Sequence, residues 1–458
     1  MGTAGSLRMS AAPGGAGRHE EAPGRGAVRF TRDELHGSLA DPVLGTIGFL
    51  NEVMARYPEA ISFAPGAPHL THLGDFDLAR HVESYLAYAA ERRGLSPDRA
   101  RHLLYEYGPS RGLINDLVAR ALDLDQGLGI SPDAVVVTVG AQEAMLLTLR
   151  ALCRPGRDLV AVVQPCFVGI TGAARLLDID LVAVDETADG IDLDGLRTAC
   201  RAARADGRRV RALYVAPDFA NPSGTVLDLA TRRRLLDFAA REDLLLLEDN
   251  AYGFTAAPGS GLPGLKALDE DARVVLLGTF AKVCLPGARV GFAVADQTVC
   301  TADGSRRLLA DELAALKNMV TVNTSPISQA VIGGMLLENG GSLAALGRDR
   351  ATLYQRNLGL LLAALDRHLP PGAGRPAGVS WNRPAGGFFV RMRLPIPADT
   401  ALLDECASRY GVLWTPMDQF YLDGSGADEL RLSCSYLDPE QIGEGVARLA
   451  RFLREVCP

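Results

Sequence analysis

The sequence predicts an α/β protein whose larger domain contains a mostly parallel, seven-stranded sheet, followed by a smaller α+β domain at the C-terminus. Short apolar runs recur along the middle of the chain, and several intervals between them show helical periodicity, as in 231–242. Continuous apolar strands that alternate with helices are typical of a parallel sheet covered on both faces. The 458 residues, 48% of them apolar, suffice for two or three domains.

The strands are predicted from short runs rich in valine and leucine. The first run, VVVTV, ends at Gly140 and opens directly onto a helical segment. The seven predicted strands span residues 135–139, 159–163, 181–184, 213–216, 244–248, 274–277 and 290–294. In the C-terminal part we expect one long helix from Ser325 to about Asp366, strands at 388–394 and 430–435, and a helix over 438–456.

The chain is divided into four segments. Residues 1–27 are rich in glycine and alanine and lack an apolar signal core, which predicts a flexible tail. Residues 28–75 are expected to form an N-terminal arm and helix that contribute to the small domain. Residues 76–335 are expected to form the large domain, and residues 336–458 the small one.

Composition excludes several classes of function. The 47 basic and 55 acidic residues give a net charge of −8 without a basic tract, so nucleic acid is not an expected partner. No apolar run approaches the roughly 20 residues that cross a bilayer. The eight cysteines are scattered and form no C-x-x-C pair, which predicts neither a disulfide framework nor a metal site, and favours a reducing, cytoplasmic compartment.

Polar residues follow the predicted strands, where open α/β sheets place their ligands. Gly140-Ala141-Gln142 begins a helix, whose free amides suit a phosphate, although such a glycine also has purely steric uses. Asn221 precedes Pro-Ser-Gly, so its amide is held in a turn that could also be an ordinary surface turn. Asp249 ends a leucine-rich strand, where a carboxylate needs a cation or donor unless it only caps the next segment.

The strongest motif is GTFAKVCLPGARVGF at 278–292. Only three basic residues are lysines, so Lys282, which follows an apolar strand, is informative. A lysine in a desolvated pocket has a lowered pKa and becomes a nucleophile toward aldehydes. Arg289 lies seven positions further on and can bind phosphate through two parallel hydrogen bonds. Arg431, in the strand LRLSCS, is a candidate for binding a carboxylate.

In order and spacing these residues resemble the pyridoxal-phosphate (PLP) enzymes of the aspartate aminotransferase fold type, PLP fold type I, over about residues 40–455. The resemblance implies that Lys282 binds the cofactor aldehyde covalently and that Asp249 pairs with the pyridine nitrogen. It implies that Asn221 and Tyr252 bind the phenolic oxygen of the ring. Lys282, Asp249 and Tyr252 are the implied catalytic residues.

The resemblance also implies the remaining contacts. Phe167 would stack on the ring, and the small Ala251 would let the ring lie against the chain. Arg431 would bind the substrate α-carboxylate, with Gly66 and Asn221 on the substrate side. The phosphate would be held by Thr279, Arg289, the amides of Gly140, Ala141 and Gln142, and Tyr107 of a second subunit. A symmetric homodimer is therefore expected, with the N-terminal arm in the dimer contact.

The chain departs from the family pattern at two positions. Ala281 and Ala141 stand where serine is frequent, so two hydroxyl groups that could bind the phosphate are missing. The departures imply a greater reliance on Arg289, Thr279 and backbone donors.

Three segments carry a narrower resemblance. ELHGSLADPVLGTIGFLNEVMARYP, ISFAPGAPHL and VAPDFANPSG are similar to the hydroxyphenylglycine and 3,5-dihydroxyphenylglycine aminotransferases of glycopeptide-antibiotic pathways. That resemblance implies an amino donor such as tyrosine and an arylglyoxylate acceptor. Alternatives are an aminotransferase of 2-aminoadipate, aromatic or branched-chain amino acids with 2-oxoglutarate, and a PLP-dependent lyase or oxidase. A PLP-binding regulator is disfavoured because residues 1–27 cannot form a helix-turn-helix.

Overall fold

The computed structural model describes residues 28–69, 76–187, 190–256, 259–372 and 374–457. The predicted tail at 1–27 and residues 70–75 of the predicted arm lie outside the described residues. Residues 28–40 contain two short 3-10 turns, Arg32–Glu34 and Gly37–Ala40. The chain from Asp41 onward forms one compact unit, which contains every helix and strand named below.

Helices and strands alternate through the middle of the chain. The helices are α1 (Thr46–Arg56), α2 (Leu78–Arg93), α3 (Pro97–His102), α4 (Asn115–Gln126), α5 (Gly140–Leu152), α6 (Val168–Leu176), α7 (Leu193–Ala205), α8 (Leu229–Glu242), α9 (Leu309–Val320), α10 (Pro326–Glu338), α11 (Leu343–His368), α12 (Thr400–Tyr410) and α13 (Pro439–Val456). The strands are β1 (Ile61–Ser62), β2 (Val135–Thr138), β3 (Asp158–Gln164), β4 (Asp180–Thr187), β5 (Gly190–Ile191), β6 (Arg209–Val215), β7 (Leu245–Asn250), β8 (Val274–Thr279), β9 (Gly291–Val294), β10 (Thr298–Cys300), β11 (Arg306–Leu308), β12 (Ser380–Trp381), β13 (Phe389–Arg393), β14 (Val412–Leu413), β15 (Thr415–Pro416) and β16 (Glu429–Ser433).

The large sheet has the strand order β2-β9-β8-β7-β6-β3-β4-β5. Its centre, from β8 to β4, is parallel, while β9 runs antiparallel to both β8 and β2. The predicted α/β class and mostly parallel sheet are confirmed. The predicted number of seven strands was wrong, because β5 adds an eighth, antiparallel strand of two residues. Two residues are too few to give an apolar run.

The C-terminal part contains an antiparallel sheet of order β12-β13-β16-β15, packed with α11, α12 and α13. The buried side chains of Phe388, Phe389 and Trp414 belong to its core. The single long helix expected from Ser325 to Asp366 is two helices, α10 and α11. The chain breaks between them at Gly340 and Gly341, whose φ angles of +69° and +82° lie in the left-handed region.

The order of the parallel strands brings the candidate residues to one edge. Strands β6, β7 and β8 are direct neighbours, and they end at Val215, Asn250 and Thr279. The carboxyl ends of parallel strands meet at the same edge of a sheet. The segments that follow these three strands therefore converge.

Helices α2 and α10 approach each other closely at Gly334. A Cβ atom built on Gly334 would overlap the backbone carbonyl of His81, whereas one built on Gly359, in α11, meets nothing within 4 Å. The first glycine is therefore required by packing, and the second is not.

We expect Gly334→Ala to lower the free energy of unfolding by about 1–3 kcal/mol, because the two helices must move apart. The matched control, Gly359→Ala, should raise it by up to about 1 kcal/mol, because alanine is the better helix former. Urea denaturation of both variants measures the difference. Equal effects of the two substitutions would contradict the close approach of α2 and α10.

Candidate active site

A cavity of about 370 Å³ lies at the carboxyl edge of the large sheet. It is lined both by residues that follow the central strands and by residues of the 64–68 segment, α1 and β16. The predicted site residues that line it are Gly66, Ala141, Gln142, Phe167, Asn221, Asp249, Ala251, Tyr252, Thr279, Lys282, Arg289 and Arg431. Of the predicted set, Gly140 and Tyr107 do not line it, and Tyr107 is 87% exposed.

Lys282 follows β8 by three residues, and its amine lies inside the cavity wall. Its Nζ donates a hydrogen bond to the Gly66 carbonyl oxygen at 2.7 Å and lies 5.7 Å from the centre of the Tyr252 ring. Burial lowers the pKa of Lys282 to about 8, and the positive charges of Arg431 and Arg289 act in the same direction. The fraction of neutral amine near pH 7 is therefore much larger than for an ordinary lysine.

Asp249 lies on β7 with its carboxylate on the cavity side. The side chain before it, Glu248, points to the opposite face, where the amides of Leu265 and Lys266 donate to it at 3.1 and 2.7 Å. The Tyr214 hydroxyl donates to Asp249 Oδ2, while the buried Oδ1 has no hydrogen-bond partner among the described residues. Burial raises the pKa of Asp249 to about 6. The free oxygen can accept a hydrogen bond from an N–H or O–H group of a ligand.

The Arg289 guanidinium packs closely against Gly140 at the start of α5. Both residues have left-handed backbones, with φ of +52° and +75°, and a Cβ on Gly140 would lie 2.6 Å from Arg289 Nη2. Arg289 forms no ion pair with a described carboxylate; its Nη1 donates only to the Pro286 carbonyl, at 3.4 Å. Thr279 Oγ1 accepts from the Ala281 amide at 3.2 Å, which leaves its hydroxyl proton free to donate elsewhere. Groups of this kind can bind an anion.

Arg431 enters the cavity from the small sheet. Its Nη1 donates to Asn221 Oδ1 at 2.6 Å, and its Nη2 donates to the Ala64 carbonyl at 2.6 Å and to Thr415 Oγ1 at 3.1 Å. The guanidinium carbon lies 4.5 Å from the centre of the Phe389 ring. Burial lowers the pKa of Arg431 to about 10, so the group stays charged at neutral pH without a described carboxylate beside it. It can bind a carboxylate from a ligand.

The remaining predicted residues complete the walls of the cavity. Phe167 precedes α6, Ala251 follows β7, and Tyr252 lies edge-on to the rings of Phe388 and Phe389. Burial raises the pKa of Tyr252, so its hydroxyl stays protonated.

Sequence reasoning missed several residues that shape the site. The sequence predicts Tyr214 only as part of a strand. Its hydrogen bond to Asp249 depends on the pairing of β6 with β7. Ala64 and Thr415 hold Arg431, although no motif marks either residue. Thr46, at the start of α1, lines the cavity with no signal beyond its place in a helical stretch.

The site has the groups that PLP requires. The cofactor carries an aldehyde, a basic ring nitrogen and a phosphate. The cavity offers a desolvated amine at Lys282, an unpaired buried oxygen at Asp249 and an anion site at the start of α5. The residues present therefore fit this cofactor.

Comparison with known proteins identifies the family. The family model for aminotransferase class I and II matches residues 84–449. An (S)-3,5-dihydroxyphenylglycine transaminase from Amycolatopsis orientalis is 46% identical over 427 residues, which cover 93% of this chain and 95% of that protein. A 2-aminoadipate transaminase from Thermus thermophilus is 33% identical over 330 residues, 71% of this chain and 77% of that protein.

Solved structures of aminotransferases are also similar to this chain. A Pyrococcus horikoshii kynurenine aminotransferase superposes with a TM-score of 0.75 at 25% identity, covering 93% of this chain and 97% of that one. An α-aminoadipate aminotransferase from Thermus thermophilus, complexed with N-(5'-phosphopyridoxyl)-L-leucine, gives a TM-score of 0.72 at 29% identity, covering 92% of this chain and 99% of that one. The chain belongs to the class I and II aminotransferases, and it is a PLP-dependent aminotransferase.

Proposed function

We propose that this enzyme transfers an amino group from an L-amino acid such as tyrosine to an arylglyoxylate. The acceptor is (3,5-di)hydroxyphenylglyoxylate, and the arylglycine product serves the synthesis of a non-ribosomal peptide antibiotic. The observation that carries the proposal is the 46% identity to a 3,5-dihydroxyphenylglycine transaminase over nearly the whole of both chains.

The cofactor contacts are part of the proposal. Asp249 Oδ1 would accept from the ring nitrogen, and Asn221 and Tyr252 would bind the phenolic oxygen, with Phe167 and Ala251 on the ring faces. The phosphate would be bound by Thr279, Arg289 and the amides of residues 140–142. Bound PLP supplies a reactive aldehyde and a ring that withdraws electrons from the substrate α-carbon.

Lys282 has two roles in this proposal. Its Nζ would hold the cofactor aldehyde covalently. The same amine, with its lowered pKa, would also serve as the base that moves the proton of the substrate α-carbon. Arg431 would hold the α-carboxylate and so orient the α-carbon toward this amine.

The walls of the cavity favour an aryl side chain over a dicarboxylate. Lys282, Arg289 and Arg431 are the cations among its described lining residues, and the cofactor and the α-carboxylate would use all three. No further cation is found there for a second substrate carboxylate. Apolar side chains contribute most of the remaining surface, including those of Met54, Val168 and Phe420.

Thr46 supports a hydroxylated ring. It is 9% exposed and lines the cavity, yet its Oγ1 has no hydrogen-bond partner among the described residues. The other polar lining residues are assigned above to the cofactor or to the α-carboxylate, Gln142 through its backbone amide. A phenolic hydroxyl of the substrate would give this buried group the partner that it lacks.

The proposal includes a homodimer and a cytoplasmic location. Tyr107 is 87% exposed and lies away from the cavity of its own chain, which is consistent with a role in the phosphate site of a second copy. All eight cysteines are free, which supports a reducing compartment.

The proposal is tested by the choice of acceptor. With tyrosine as the donor, we expect the value of kcat/KM for 3,5-dihydroxyphenylglyoxylate to exceed that for 2-oxoglutarate at least about tenfold, because no described cation is left for a second carboxylate. Product arylglycine is measured by chromatography. A preference for 2-oxoglutarate would refute the acceptor, and release of ammonia or carbon dioxide in step with turnover would indicate a lyase or an oxidase.

The hydroxyl of Thr46 gives a narrower prediction. Thr46→Val should lower kcat/KM for hydroxylated arylglyoxylates about threefold to tenfold, the usual size for one hydrogen bond, and leave phenylglyoxylate unchanged. Thr148→Val is the matched control, since the buried Thr148 Oγ1 is also unpaired but does not line the cavity. Equal losses with both acceptors would overturn the role of Thr46 and leave the arylglyoxylate proposal standing.

The pKa of Lys282 predicts how cofactor capture depends on pH. The neutral amine forms as pH rises through about 8, so the rate at which cofactor-free protein captures PLP should rise up to that pH and level off above about 9. The visible absorbance of the adduct measures this rate. Lys282→Ala should show neither this absorbance nor turnover. A rate that still climbs beyond about pH 10 would indicate an ordinary lysine.

A further inference from the structure

Lys317, one of only three lysines in the chain, lies beside the first turn of α5. Its amine is buried, and its Nζ lies 2.6 Å from Glu143 Oε2 and 2.8 Å from Thr321 Oγ1. The Thr321 hydroxyl in turn donates to Glu143 Oε1 at 2.6 Å. We name this group of three side chains, Lys317, Glu143 and Thr321, the α5 clamp.

The α5 clamp holds the turn that would bind the cofactor phosphate. Glu143 Oε2 also accepts from the Val139 amide at 2.6 Å. Val139 is the residue before Gly140, and the turn after it passes under the Arg289 guanidinium, with no room for a Cβ at Gly140. The position of the 140–142 amides therefore depends on the anchoring of Val139 by Glu143.

The negative charge of Glu143 would oppose phosphate binding at the start of α5, and the positive charge of Lys317 compensates for it. The N-terminus of a helix attracts anions, and a carboxylate in its first turns competes with a phosphate for that positive end. The side chain of Glu143 is only 6% exposed, so water cannot screen its charge. Lys317 neutralises it, so Glu143 can hold Val139 without repelling an incoming dianion.

We propose that Lys317, acting through Glu143 and Thr321, is a positioning residue for the phosphate of PLP. It touches neither the cofactor nor the substrate. This role concerns the phosphate alone, so it does not depend on which acceptor the enzyme uses.

The test compares two ligands that differ only in the phosphate. Full-length protein freed of its cofactor is titrated with PLP and with pyridoxal, and the ratio of the two dissociation constants is the readout. Lys317→Met should weaken PLP binding at least about tenfold, as expected when a group that orients ligand-binding residues is lost. Binding of pyridoxal should change less than about twofold.

A matched control separates positioning from stability. Lys266 is the other buried lysine with acidic partners, and its Nζ lies 3.1 Å from Asp269 and 2.8 Å from Asp296, neither of which lines the cavity. Lys266→Met should lower the melting temperature and leave the ratio at the wild-type value. A wild-type ratio in Lys317→Met would overturn the proposal, as would equal weakening of both ligands.

A milder variant keeps the proposal testable if Lys317→Met does not fold. Thr321→Val removes the hydroxyl that bonds both Lys317 and Glu143, and it keeps both charges. It should weaken PLP binding roughly threefold, the scale of one hydrogen bond, and leave pyridoxal binding unchanged. An unchanged affinity for PLP in folded Thr321→Val would refute the coupling through the α5 clamp.

Discussion

The site depends on a concentration of positive charge that the negative charge beside it does not balance. Lys282, Arg289 and Arg431 line one cavity, and Asp249 is the one carboxylate among its described lining residues. Removing cations from water is costly unless anions or donors compensate, and the lowered pKa values of Lys282 and Arg431 express that cost. PLP and an amino acid bring a phosphate and a carboxylate. The cavity is therefore complementary to its two ligands and strained without them, which is the electrostatic form of preorganisation.

The charged residues can lie close together because the carboxyl ends of parallel strands meet at one edge of the sheet. Asp249 and Lys282 are far from Arg431 in sequence, yet β7 and β8 deliver the first two to the same edge, and β16 presents the third from the small sheet. Much of this could be predicted from the sequence because its signals are local. An apolar run marks a strand, and the polar residue that follows marks the edge where a ligand binds. That rule places the segments that carry Asn221, Asp249 and Lys282 at one edge of the sheet, and the family resemblance implies their roles.

What could not be predicted depends on pairing across the fold. Tyr214 donates to Asp249 only because β6 lies next to β7, and nothing in either strand specifies that neighbour. The bond between Glu143 and Lys317 joins residues 174 positions apart, with no motif at either end. The eighth strand and the break before α11 were missed for a different reason. A two-residue strand has no periodicity, and Gly340-Gly341 interrupts a helical pattern that continues on both sides.

Chemistry and specificity occupy different parts of this chain. The groups proposed to hold PLP follow strands of the large sheet, whose neighbours fix their geometry. The wall proposed to contact the substrate side chain is built mainly from α1, the 64–68 segment and residues near 420, with Val168 at the start of α6. Changes in that wall would leave the cofactor groups at the sheet edge in place. Relatives named for 3,5-dihydroxyphenylglycine and for 2-aminoadipate both match more than two thirds of this chain. An unpaired hydroxyl in this wall would favour a hydroxylated ring, because only such a substrate gains a hydrogen bond there. Selectivity for a hydroxylated ring would thus require only one side chain on α1, with no change to the residues that handle the cofactor.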